Sequence, residues 1–125
     1  MRLLLDNHLF LWAVAGSPLL KAPARRILES ADQVFVSAAS IWEIAIKARL
    51  GKIDADPHEL AAAIEGSGFR ELAVRSAHAV GVGRLALRHS DPFDRLLIAQ
   101  AIAEPLRLIT ADAVLAQYSD LVLLI

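Results

Sequence analysis

Three times along this chain a short aliphatic run stops at a polar residue able to open a helix. Leu3-Leu4-Leu5 runs into Asp6, Val34-Phe35-Val36 into Ser37, and Leu106-Arg107-Leu108-Ile109 into Thr110-Ala111-Asp112. Runs this short, bounded by turn or cap signals, read as strands buried on both faces. The segments between them are long enough for helices. Consecutive strands separated by helices must run parallel, because each return needs a crossover. The pattern therefore predicts an α/β fold with a mainly parallel sheet and helices on both of its faces.

The intervening segments carry helix punctuation. Leu9, Phe10, Trp12 and Ala13 recur at helical spacing, and Gly16-Ser17-Pro18 stops them. Pro23 to Ser30 is a short helix with Arg25, Arg26 and Glu29 outward. Ala38 to Leu50 is a long one, with Ile41, Trp42, Ala45, Ile46 and Leu50 as an apolar stripe and Gly51 as its stop. Asp56-Pro57-His58-Glu59 opens a helix that runs to Glu65. Phe69 to Leu72 is a short strand, and Ser76 to Leu87 is helical but weakened by Gly81 and Gly83. Asp91-Pro92 opens a helix through Ala103, Asp112 starts a short one to Tyr118, and Leu121-Val122-Leu123 is a last strand. No repeat, low-complexity tract or linker interrupts the series, so residues 1–125 read as a single domain.

Composition narrows the class of protein. No apolar run approaches the roughly 18–20 residues that span a bilayer. The opening Met1-Arg2-Leu3-Leu4-Leu5-Asp6 is too short and too soon charged for a signal peptide. There is no cysteine, which removes disulfides and thiolate metal sites. The expectation is an unprocessed cytoplasmic protein with no membrane attachment. A net charge of −1 argues against a general nucleic-acid coat, although a local basic rim stays possible. Apolar residues make up 56% of the chain, so some apolar surface should outlast folding and be covered by a partner or a second copy.

The position of four acids carries the functional signal. Asp6 follows the first strand, Glu43 lies on the first turns of the helix after the second, and Asp112 follows the strand at Leu106. In a doubly wound sheet, strand ends and the helix starts that follow them share one edge, where ligands bind. Asp94 joins the set if its helix begins at the same rim. Carboxylates brought together repel one another unless a cation sits between them. Oxygen ligands without Cys or clustered His suit Mg²⁺ or Mn²⁺, ions that activate water and neutralise phosphoryl groups.

Each acid also has a plainer role. Asp112 and Asp6 can be helix N-caps. Asp91 before Pro92 is a still better one, with Asp94 as a first-turn acid. Ser40 and Glu43 can form a capping box, although Ser37 is as good a cap. The acids stand out because three strand-to-helix junctions present them to one edge.

On Leu3-Leu4-Leu5-Asp6-Asn7-His8, Val36-Ser37-Ala38-Ala39-Ser40-Ile41-Trp42-Glu43-Ile44, Asp91-Pro92-Phe93-Asp94-Arg95-Leu96-Leu97-Ile98-Ala99-Gln100-Ala101 and Leu108-Ile109-Thr110-Ala111-Asp112, the chain resembles the PIN-domain ribonucleases. The likeness is to the VapC-like toxins of bacterial toxin–antitoxin pairs. It implies a PIN-like three-layer α/β/α sandwich and a metal-dependent endoribonuclease. It puts the family's catalytic and Mg²⁺- or Mn²⁺-binding acids on Asp6, Glu43, Asp94 and Asp112, with Asp91 as a fifth contributor or a cap. One carboxylate, Glu43 or Asp94, would take a proton from the attacking water. Asn7 departs from the Thr or Ser usual after the first Asp, which implies retained activity with altered geometry around the acids. The resemblance also implies an RNA substrate, a small antitoxin that lays a segment and a basic side chain across the groove, and a homodimer formed through apolar helices.

Other polar residues are weighed beside these. Ser37 and Thr110 orient the acids or simply cap strand ends. Arg95 reaches a phosphate or, by preference, pairs with a neighbouring acid. Lys47, Arg49 and Lys52 guide RNA or, more commonly, form a solvated helix face. His8, His58, His78 and His89 are not at mutual ligand spacing and read as non-metal, with His8 nearest the site. Trp12 and Trp42 read as core. Two rivals remain: a phosphotransferase with Asp6 as nucleophile, which would want Asp where His8 stands, and a module that binds RNA or protein without cutting.

Overall fold

The computed structural model describes residues 1–86 and 91–125. Five strands form one sheet: β1 (Arg2–Leu5), β2 (Gln33–Ser37), β3 (Arg70–Leu72), β4 (Arg107–Thr110) and β5 (Val122–Leu124). Their spatial order is β3-β2-β1-β4-β5, and every neighbouring pair is parallel. The helices are α1 (Asn7–Ala15), α2 (Ala22–Ser30), α3 (Ala38–Arg49), α4 (Pro57–Gly66), α5 (Ser76–Val82) and α6 (Pro92–Ala103). The expected α/β architecture is therefore the observed one, and the sheet is parallel throughout.

Strand periodicity divides the core into two halves. Leu3 and Leu5 of β1, Val34 and Val36 of β2, and Ile109 of β4 pack with Leu9, Phe10, Ala24, Ile44 and Ile64 from α1 to α4. Leu4, Phe35 and Leu108 point the other way, onto Leu97, Ile98 and Ala101 of α6. Successive side chains of a strand face opposite sides, so continuous apolar runs are what a sheet covered on both faces requires. Right-handed crossovers explain the sorting. The chain steps outward from β1 to β3 with α1–α4 on one face, then returns to the opposite side of β1 with α6 on the other.

Several boundaries differ from the sequence reading. The helix expected over Ser76 to Leu87 ends at Val82, with Gly83 at its C-cap, and Leu87 and His89 lie outside the described residues. His78 ties this helix to α6. Its Nδ1 accepts the Arg75 N–H at 3.0 Å, so its Nε2 carries the proton toward Glu104, 2.6 Å away. The helix expected from Asp112 to Tyr118 is only a 3-10 turn, Leu115–Gln117.

Trp42 is the clearest correction. It is 60% exposed, with Ile46 and Leu50 also exposed. The buried side of α3 is instead the one carrying Ser40, Glu43 and Ile44. At about 100° per residue, Trp42, Ile46 and Leu50 lie on the far side of the helix from Ile44. Of the expected stripe, Ile41 packs against the core while Trp42, Ile46 and Leu50 face out, and Trp42 stacks edge-on against Phe93 at 5.0 Å between ring centroids. Trp12 is half-buried against the core.

Candidate active site

The strand order reverses on either side of β1, so the connections leaving β1 and β4 diverge and open a crevice beyond their C-terminal ends. Asp6 stands there, as the residue after β1 and the N-cap of α1. Its Oδ1 accepts the Leu9 N–H at 2.8 Å, and its Oδ2 accepts the Thr110 hydroxyl at 2.5 Å. The same hydroxyl accepts the Asp112 N–H at 3.0 Å. Thr110 thus joins the ends of two strands through one oxygen.

Helix α6 precedes β4 and runs back across it, which sets its N-terminus over the same edge. Asp91 caps it, accepting the Phe93 N–H at 2.9 Å and the Asp94 N–H at 3.1 Å. Asp94 occupies the first turn. Ser37 caps α3 through the Ala39 N–H at 3.0 Å, and Glu43 follows on the buried side. Asp6, Glu43, Asp91, Asp94 and Asp112 all line one small cavity of about 70 Å³, with Asn7, His8, Lys47 and Leu115. A wider cleft of about 390 Å³ adjoins it, sharing Asp6, His8 and Asp112.

Burial pushes the Asp6 carboxyl above its ordinary value of 3.8. The Thr110 and Leu9 hydrogen bonds and the His8 charge pull it down, and Asp112 pushes it up again, but burial dominates. The N-termini of α1 and α6 point at the crevice and favour negative charge there.

Glu43 and Asp112, like Asp6 and Asp91, have donors of their own. Glu43 Oε1 accepts from Asn7 Nδ2 at 3.1 Å, and its Oε2 pairs with Lys47 Nζ at 2.9 Å. Asp112 Oδ1 accepts the Val114 N–H at 2.9 Å. Among the described residues, no three acids or histidines stand close enough in this arrangement to share an ion. Asn7, which lines the cavity, has its Oδ1 buried with no hydrogen-bond partner among the described residues. Turning the amide would set that oxygen against the Glu43 carboxylate, which only accepts, so the orientation is fixed by chemistry.

Two roles differ from the sequence reading. Lys47 is not a solvated helix face, because the i,i+4 spacing from Glu43 brings its ammonium into the cavity. That spacing was visible in the sequence, and it was the signal to follow. Arg95 was expected to pair with an acid. It is buried and donates to the carbonyls of Ala86 at 2.9 Å and Val82 at 3.1 Å, and to the Tyr118 hydroxyl at 3.5 Å. Arginine thereby ties the end of α5 to the start of α6.

The PIN domain family profile matches residues 3–121, nearly the whole chain. The chain is a PIN domain. It is 33% identical over 115 residues to Ribonuclease VapC22 of Mycobacterium tuberculosis, covering 87% of this chain and 85% of that protein. In fold, this PIN domain matches a chain of the VapBC2 complex of Rickettsia felis bound to a promoter DNA fragment. The TM-score is 0.67 at 15% identity, over 98% of this chain and 96% of that one. A toxin–antitoxin complex from Klebsiella pneumoniae aligns with a TM-score of 0.67 at 18% identity, over 96% and 94% of the two chains. Both matches give the PIN fold, as the sequence resemblance implied.

Proposed function

We propose that this chain is a metal-dependent endoribonuclease, the toxin of a toxin–antitoxin pair, acting in the cytoplasm as one PIN-like domain. The observation that carries the reading is the cavity at the β1/β4 switch point, lined by acids from four parts of the chain together with Asn7. The likeness to a curated VapC ribonuclease supports it.

The donor set fits a hard divalent cation. It is all oxygen, with no thiolate, and Asn7, whose Oδ1 is buried without a partner among the described residues, lines the same cavity. Asp6, Glu43, Asp94 and Asp112 would hold Mg²⁺ or Mn²⁺. When bound, the ion supplies an activated water and offsets charge on the phosphoryl oxygens. Glu43 or Asp94 takes the proton from the attacking water, and Thr110 holds Asp6 and the Asp112 backbone in register. Asp91 has its Oδ1 committed to the α6 cap, which leaves its other oxygen for the cavity.

The partners follow from two surfaces. A groove of about 660 Å³ has an apolar floor of Leu11, Trp12, Val14, Ile53 and Leu60 and an acidic rim of Asp54, Asp56 and Glu59. That combination suits an amphipathic antitoxin segment bearing basic side chains. The outward stripe of Trp42, Ile46 and Leu50 suits a second copy of the chain.

The test is incubation of purified protein with structured RNA in Mg²⁺ or Mn²⁺, then in EDTA. Cleavage that stops with EDTA and is lost in Asp94→Asn is the expected result. Metal-independent binding without cleavage would turn the reading to a non-cutting module, and a phosphoryl group on Asp6 to a transferase.

A further inference from the structure

Neither oxygen of Glu43 is idle, and its two partners differ in freedom. Asn7, at the first position of α1, is 5% exposed and fixed by the fold. The Lys47 side chain is 35% exposed and carries its charge on a flexible four-carbon stem. Among the described residues lining the small cavity, Lys47 alone carries a permanent positive charge. It therefore brings a positive charge to the cavity that Asp6, Glu43, Asp91, Asp94 and Asp112 also line.

We infer that Lys47 is a built-in counter-ion: it holds Glu43 Oε2 in the metal-free protein and must swing away before a divalent ion can use that oxygen. This rests on the metal-dependent reading above. The arrangement itself supports it, because the second oxygen of Glu43 is taken by a movable cation that lines the same cavity. Lys47 is a positioning residue that acts through Glu43. Where binding takes that oxygen with the ion pair open, the apparent metal affinity is reduced by the fraction of molecules in which the pair is closed. The released ammonium remains at the cavity, where a substrate phosphate can take it as a new partner.

A purely helix-stabilising ion pair would leave metal affinity alone. The test is Mn²⁺ binding by calorimetry to wild type, Lys47→Met and Lys47→Gln. It is paired with NMR of the Lys47 ammonium in wild type as Mg²⁺ is added. Tighter Mn²⁺ binding in both variants, by roughly threefold to tenfold, is expected, together with a changed Lys47 ammonium signal at saturating Mg²⁺. The NMR arm needs no variant and stands even where a variant fails to fold. Unchanged or weaker Mn²⁺ affinity in the folded variants, or an unmoved ammonium signal, overturns the inference alone. A wild type that binds no Mn²⁺ overturns it together with the metal-dependent reading.

Discussion

The Thr110 hydroxyl donates to Asp6 Oδ2 at 2.5 Å, joining residues 104 positions apart in the chain. That bond, and the Asp112 N–H accepted by the same oxygen, make Thr110 the pin between β1 and β4 at the point where the acids gather.

Thr110→Val should therefore act on both stability and chemistry. It leaves a buried carboxylate short of a donor and the Asp112 N–H without its acceptor, a loss of about 1–3 kcal/mol. It also removes one of the influences holding the Asp6 pKa down. The acid limb of RNA cleavage should move to higher pH, and Thr110→Ser should restore both properties. Denaturant unfolding and a pH–rate profile check this.

Asp6 sets a sign for the pH dependence of the metal-free protein. Its folded pKa lies above 3.8, close to its value in an unfolded chain. Between those two values the folded protein binds more protons than the unfolded one, so stability falls as pH rises through the window. In EDTA, the contribution of Asp6 should raise the melting temperature as pH is lowered from neutral toward 3.8, and Asp6→Asn should lose that gain. Asp32, exposed and held below its ordinary value by the N-terminal amine, works in the opposite sense and only at lower pH. Identical pH slopes for wild type and Asp6→Asn would contradict the assignment.

Asp6→Asn and Asp94→Asn should each lower RNA cleavage by at least ~10²-fold, the scale of losing one charged group from a preorganised site. Asp6→Asn should keep or raise the melting temperature in EDTA, because it removes a buried charge. Asp94→Asn gives up a first-turn charge, whose interaction with the helix dipole is worth up to about 1 kcal/mol. Parent-rate cleavage by either variant would remove these residues from the mechanism.

Trp42→Glu should leave the fold intact and, at micromolar concentration, shift sedimentation from dimer to monomer. Phe10→Ala, by contrast, empties a fully buried site and should cost about 3–5 kcal/mol. A dimer that survives Trp42→Glu would place the interface elsewhere.

The sequence reveals most of the architecture because both-face burial leaves continuous apolar strands, and the capping residues Asp6, Ser37, Asp56 and Asp91 mark helix starts directly. The convergence of acids follows from strand order and crossover handedness, which the alternation of strands and helices already implies. The orientation of α3 was less legible. Its sequence offers two apolar sides, and only packing decides that Ile44 goes in while Trp42 stays out. The Arg95 contacts were hidden for a similar reason. Its acceptors are backbone carbonyls, and these leave no trace in residue identity.

Because β1 lies in the middle of the sheet, it waits for β4, a strand made much later in the chain. A growing polypeptide on the ribosome can dock β2 beside it early, but its other side stays bare until residue 110 has been synthesised. The carboxylates beyond β1 and β4 cannot assemble before then, so the cavity they line is completed by the strand that closes the centre of the sheet.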